Sequence, residues 1–155
     1  MILVPLLLFL HLVAVVVWVG GMFFAYLCLR PVAAAQLEPP QRLMLWAGVF
    51  ERFFPWVWAS VVMILGSGLT MFWVIGAGNP GNAPLHWNLM MGTGVVMMLI
   101  FAHVYFAPFQ TLRQCVAAAD WPRAGVALDQ IRKLVGFNLF LGLLTVVIAM
   151  LGIYL

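Results

Sequence analysis

The chain has 155 residues, the length of one domain, with 66% hydrophobic and only 7% charged residues. Soluble domains carry about 25% charged residues, so seven basic and four acidic side chains cannot cover a water-facing surface. A mean hydropathy of +1.15 excludes a soluble globular protein, a disordered chain and a nucleic-acid binder, and the net charge of +3 is no nucleic-acid signal.

Residues 1–29, 53–112 and 134–155 hold no Asp, Glu, Lys or Arg. Such charge-free blocks belong to a polytopic membrane protein. In chain order, the first block supplies a spanning helix over about 2–29. The 60-residue middle block is too long for one span. It breaks at Gly76-Ala77-Gly78-Asn79-Pro80-Gly81-Asn82-Ala83-Pro84, a cluster of turn formers. This gives a second helix over about 53–75 and a third over about 85–109, and the last block gives a fourth over about 134–155. The expected fold is an all-α integral membrane protein, one transmembrane domain built as a four-helix bundle. Continuous apolar runs, rather than alternation, disfavour a β-barrel. Pro55 is expected in the first turn of the second helix, where proline is tolerated.

All charges fall in 30–52 and 113–133, read as two basic loops. Three of the seven Lys and Arg residues lie in the first and four in the second, and none lies in the Gly/Pro connection between them. The positive-inside rule makes the basic face cytoplasmic and puts both termini outside. The first helix is expected to be retained, since it lacks a basic n-region and its apolar run exceeds that of a signal peptide. Val116, Val126, Leu128 and Ile131 among the charges of 113–133 suit either a short interfacial helix or a solvated loop. Cys28 and Cys115 lie near the reducing face without a C-x-x-C motif and read as structural thiols.

The chemistry inside the membrane falls to histidine, methionine, tryptophan and glycine. The four acids lie in the charged segments, which leaves no intramembrane acid/base pair. An ionisable residue within a span is costly and marks a functional site by default. His11 and His103 lie inside apolar runs, and His86 at the mouth of the third helix. Imidazole is a metal ligand and an axial ligand of haem iron. At 1.5 Å per residue, His11 lies about 28 Å from Arg30 and His103 about 15 Å from Arg113, a depth difference of about 13 Å. One iron between the two in one chain is awkward, so separate sites or a site shared across a dimer fit better. Haem propionates favour cations, which the chain offers only on the inner face, at Arg52, Arg113, Arg132 and Lys133, where a haem on His103 could point them. A haem on His11 would instead turn to water, Trp73, Trp87, Asn79, Asn82 or His86. The ten methionines suggest a different metal. His86, Met90 and Met97 fall near one helical stripe, with Met71, Met91, Met98 and Met150 also in that half or near mid-membrane. Thioether plus imidazole suits Cu(I), while Met is also a gap-filler. Trp18 lies seven residues after His11 on one face, and Gly20-Gly21 permits close approach of a neighbouring helix. Gly66, Gly68, Gly92 and Gly94 repeat that opportunity. Asn138 is placed to hydrogen-bond across the bundle.

His11-x6-Trp18-x-Gly20-Gly21-Met22-Phe23-Phe24, followed by an arginine, resembles the first helix of the CopD-like and HemJ-like four-helix inner-membrane families. Glu51-Arg52-Phe53-Phe54-Pro55 with Leu65-Gly66-Ser67-Gly68-Leu69 is similar to their second helix, and Arg132-Lys133-Leu134-Val135-x-x-Asn138 with Leu141-Gly142-Leu143 to their last. The CopD-like resemblance implies copper handling at the inner membrane. The HemJ-like resemblance implies haem b and protoporphyrinogen oxidation, with His11 matching a first-helix histidine. The lysine of that family's third helix has no counterpart in Leu85-His86-Trp87-Asn88-Leu89, which leaves enzymatic activity open.

The leading expectation is therefore a haem b protein of the bacterial-type inner membrane with a redox or electron-transfer role. Its candidate cofactor residues are His11, His103, Trp18, Gly20, Gly21, Arg52 and Arg132. The alternative is copper transport or tolerance, with His11, His103, His86 and Met90 as metal ligands. A third reading is a cofactor-free accessory subunit. The lipid bilayer is the expected environment, a homodimer the favoured oligomer, and a redox partner is implied but not identified.

Overall fold

The computed structural model describes residues 2–75 and 83–152. The Gly/Pro connection with Asn79 and Asn82 lies largely outside the described residues, as does the extreme C-terminus. The elements in chain order are α1 (Leu3–Phe23), a π-helical turn (Phe24–Leu29), α2 (Arg30–Gln36), α3 (Pro39–Ile75), α4 (Leu85–Phe106), α5 (Pro108–Ala117) and α6 (Trp121–Leu151). They join into four rods, Leu3–Gln36, Pro39–Ile75, Leu85–Ala117 and Trp121–Leu151, each long and apolar enough to cross a membrane. The protein is an all-α, multi-pass membrane protein.

The segments expected as basic loops are mostly helical. Only Leu37-Glu38 and Ala118–Asp120 interrupt the rods at that end. Arg, Glu, Gln, Leu and Ala are good helix formers, so the helices continue past the apolar blocks. Rods of 31 to 37 residues exceed the roughly 20 needed to span the hydrocarbon. Ala119, with φ 54°, makes the turn between α5 and α6. Asp120 then caps α6 by accepting from the Arg123 N–H at 3.3 Å.

Proline shapes three of the rods. Pro55 sits deep inside α3 rather than in its first turn, because the helix begins sixteen residues earlier, at Pro39. Pro31 follows the π-helical turn, in which the Arg30 N–H reaches back five residues to the Ala25 carbonyl. That register change ends the α ladder where a proline ring would meet the carbonyl four residues back. Pro108 starts α5 after Ala107 leaves helical geometry, and Gln110 Nε2 donates to the Tyr105 carbonyl beside the break at 3.1 Å.

The core is an aromatic stack. Trp46, Phe50, Phe54 and Trp58 recur every four residues on α3 and so share one face. Phe50 and Phe54 stack at 5.1 Å, Phe109 meets Phe54 edge-on at 4.8 Å, and Phe101 meets Trp58 at 5.1 Å. From α1, Trp18 reaches Phe101 at 6.0 Å. Leu112 and Ile131 are fully buried beneath the stack. Lipid tails are as apolar as these side chains, so close packing rather than water exclusion holds the rods together within the bilayer.

Candidate functional site

The two ends of the bundle are built differently. At the charged end, Arg113 of α5 pairs with Glu51 of α3 at 3.2 Å. Asp129 takes both Arg132 and Lys133, the latter at 2.8 Å. At the opposite end, small and polar residues make the contacts. The seam between α4 and α6 has three rungs. His86 packs on Gly152, the Thr93 and Thr145 hydroxyls hydrogen-bond at 2.8 Å, and Met97 packs on Gly142.

His11 belongs to this second end. Its Nδ1 lies 2.9 Å from the Ser67 hydroxyl of α3. The Ser67 hydroxyl donates its single proton to the Met63 carbonyl one turn back. With that proton on the Met63 carbonyl, the serine accepts from His11, the arrangement in which the imidazole is protonated on Nδ1 and Nε2 holds the lone pair. The partner of one ring nitrogen decides which nitrogen binds a metal. Gly68 seats the ring, since a Cβ at that position would stand 3.3 Å from His11 Cε1. Met63, Ser67 and Met71 fall four residues apart on α3 and form one stripe, with both methionines half-buried. A methionine thus lies one turn to either side of the serine that contacts His11. Ser67 and Met63 were not singled out as site residues in the sequence. The four-residue spacing was visible there, but nothing before the fold tied it to His11.

The remaining candidates separate. His103 is exposed, because α4 turns Met97, Phe101 and Val104 inward and His103 lies off that stripe. It therefore does not join His11 as a second ligand within one chain. His86 is half-buried in the α4–α6 seam, and Met90, one turn further along α4, is half-buried as well. Trp18 is core. Gly21 lies against the Phe53 ring, whereas Gly20 faces open space. Arg52 is exposed and donates to its own helix at the Gly48 carbonyl, 3.2 Å away, while Arg132 is held by Asp129. Cys28 is exposed and Cys115 buried, and both are free. Among the described residues no three His, Cys, Asp or Glu side chains cluster as a metal site.

The surroundings of His11 do not fit haem b in one chain. His11 finds one imidazole and no cation, since Arg30 lies nineteen residues along its own rod, about 28 Å at 1.5 Å per residue. A central cavity of about 230 Å³, lined by Trp18, Met22, Phe50, Phe54, Phe101 and Asn138 among others, is smaller than the roughly 300 Å³ at which drug-sized pockets begin. Asn138 donates across the bundle to Met22 Sδ at 3.8 Å, as expected from the sequence.

A family model described as copper resistance protein D matches residues 47–151. The match takes in Ser67, Gly68, His86, His103 and Asn138 but not α1, so His11 lies outside it. No curated protein and no solved structure matches the chain.

Proposed function

Because the chain belongs to the copper resistance protein D family, we propose that it handles copper within the membrane, as cargo rather than as a resident cofactor. The observation that carries this reading is the His11–Ser67 contact of 2.9 Å, which seats the imidazole against a methionine-bearing stripe; with Nδ1 protonated, Nε2 is the donor nitrogen. Imidazole and thioether together suit Cu(I), and an uncharged donor set in a low-dielectric site discriminates against harder cations. In this reading His11 Nε2 is the principal donor and Met63 and Met71 supply sulfur. His86 and Met90 form an outer station on the other side of the bundle. By the positive-inside rule we place the charged end in the cytoplasm of a bacterial-type inner membrane, so that the histidine end faces outward.

The family assignment supports copper over haem b, and the exposure of His103 together with the length of rod between His11 and Arg30 supports the same choice. The test is elemental analysis of protein purified from copper-supplemented cells, paired with growth in copper. Copper is expected to co-purify near one ion per chain and to fall in His11→Ala, with altered copper tolerance. A Soret band in preparations supplied with haem, lost in His11→Ala, would reinstate the haem reading.

A further inference from the structure

A second cavity, of about 410 Å³, opens at the charged end between the start of α3 and the start of α6. Its wall carries Arg30, Arg42 and Arg132, and its apolar side includes Leu43, Phe50 and Val135. Trp46 and Trp121 also line it. Of the three arginines, only Arg132 is neutralised by an ion pair, with Asp129. Arg30 lies over the Tyr26 ring at 5.0 Å, and neither it nor Arg42 pairs with a carboxylate among the described residues. Asp129, the one acid on the wall, is already shared between Arg132 and Lys133. The cavity thus presents two uncompensated guanidinium groups above an apolar base, at the level where the charge-free spans end.

We propose that this cavity is a binding site for an acidic glycerophospholipid, its phosphate held by Arg30 and Arg42 and its acyl chains laid along the apolar side. Guanidinium groups bind phosphate oxygens in a two-pronged geometry that ammonium groups cannot match. Tryptophan is enriched at headgroup level, and basic pockets between membrane helices hold anionic headgroups. The central cavity gives the contrast within the same molecule: its lining is almost wholly apolar and offers an anion no cationic side chain. The inference rests on this cavity alone and is independent of the copper reading.

The full chain in detergent is titrated with phosphatidylglycerol, phosphatidylcholine or inorganic phosphate, and bound lipid is counted by native mass spectrometry alongside the thermal midpoint. Phosphatidylglycerol is expected to remain bound and raise the midpoint, phosphatidylcholine to do neither, and inorganic phosphate to compete only weakly. The double variant Arg30→Gln/Arg42→Gln should bind phosphatidylglycerol roughly 25-fold more weakly, at about fivefold per arginine. Arg123→Gln, outside the cavity, should bind as the wild type does. If the double variant is not recovered folded, Arg30→Lys and Arg42→Lys, which keep the charge and lose the two-pronged geometry, are each expected to bind severalfold more weakly. Equal binding of the two lipids, undiminished binding by the variants, or full displacement by inorganic phosphate overturns the proposal.

Discussion

The two ends of the bundle are held together by different means. Towards the charged end, large side chains make the contacts between rods. Phe50, Phe54 and Phe109 interlock, with Leu112 and Ile131 fully buried among them. At the other end, contacts are made by His11 with Ser67, by Thr93 with Thr145, and by side chains lying on Gly68, Gly142 and Gly152. The first arrangement supplies packing and leaves few lone pairs. The second brings polar atoms into the membrane, where an intramembrane hydrogen bond contributes about 0.6–1.7 kcal/mol. In the proposed reading, stability is concentrated in the aromatic region, and copper binding in the region that packs through small residues. Mutations should therefore affect stability at one end and metal content at the other.

The largest expected effect on stability is Phe54→Ala. It removes the ring that touches Phe50, Phe101 and Phe109 and should cost about 3 kcal/mol or more, measured by unfolding in detergent, with copper content unchanged per folded chain. If His11→Ala destabilised the protein as much, the division between the two ends would fail. Ser67→Ala comes next. It removes the acceptor that orients His11, so copper content should fall severalfold while stability drops by about 1 kcal/mol. Gly68→Ala and Gly66→Ala sharpen the comparison within one helix. A methyl at 68 presses on the imidazole at 3.3 Å, whereas a methyl at 66 meets nothing within 4 Å. Elemental analysis should show copper reduced in the first and retained in the second. The smallest effect is expected from Glu51→Gln, which breaks an exposed ion pair with Arg113 and should shift stability by under about 1 kcal/mol.

The number of spans was legible because charge cannot be hidden in lipid, so the charge-free blocks marked the rods. The ends of the rods were not, because Arg42 and Glu51, or Asp129 and Lys133, are as compatible with a helix in water as with a loop. His11 was legible as an intramembrane ionisable residue, and Asn138 as a residue reaching across the bundle. The placing of His103 was not. In a soluble helix a polar face would have shown which way it turned. In a membrane helix the lipid-facing and core-facing sides are both apolar, so hydropathy gives no direction. The aromatic spacing of Phe101, Tyr105 and Phe109 held that information, yet it acquires meaning only against Phe54 of another rod. Ser67 stayed unremarked for a similar reason. Serine in a membrane helix ordinarily bonds its own backbone, as it does here to Met63, and its second role depends on which helix arrives beside it.

The central claim is that a free His11 nitrogen is a copper donor. X-ray absorption at the copper edge of Cu(I)-loaded protein tests it most directly. At one copper per chain, mixed nitrogen and sulfur scattering is expected in the wild type, a weakened imidazole contribution in His11→Ala, and no change in His103→Ala. An unchanged imidazole signal in His11→Ala, or its loss in His103→Ala, would contradict it.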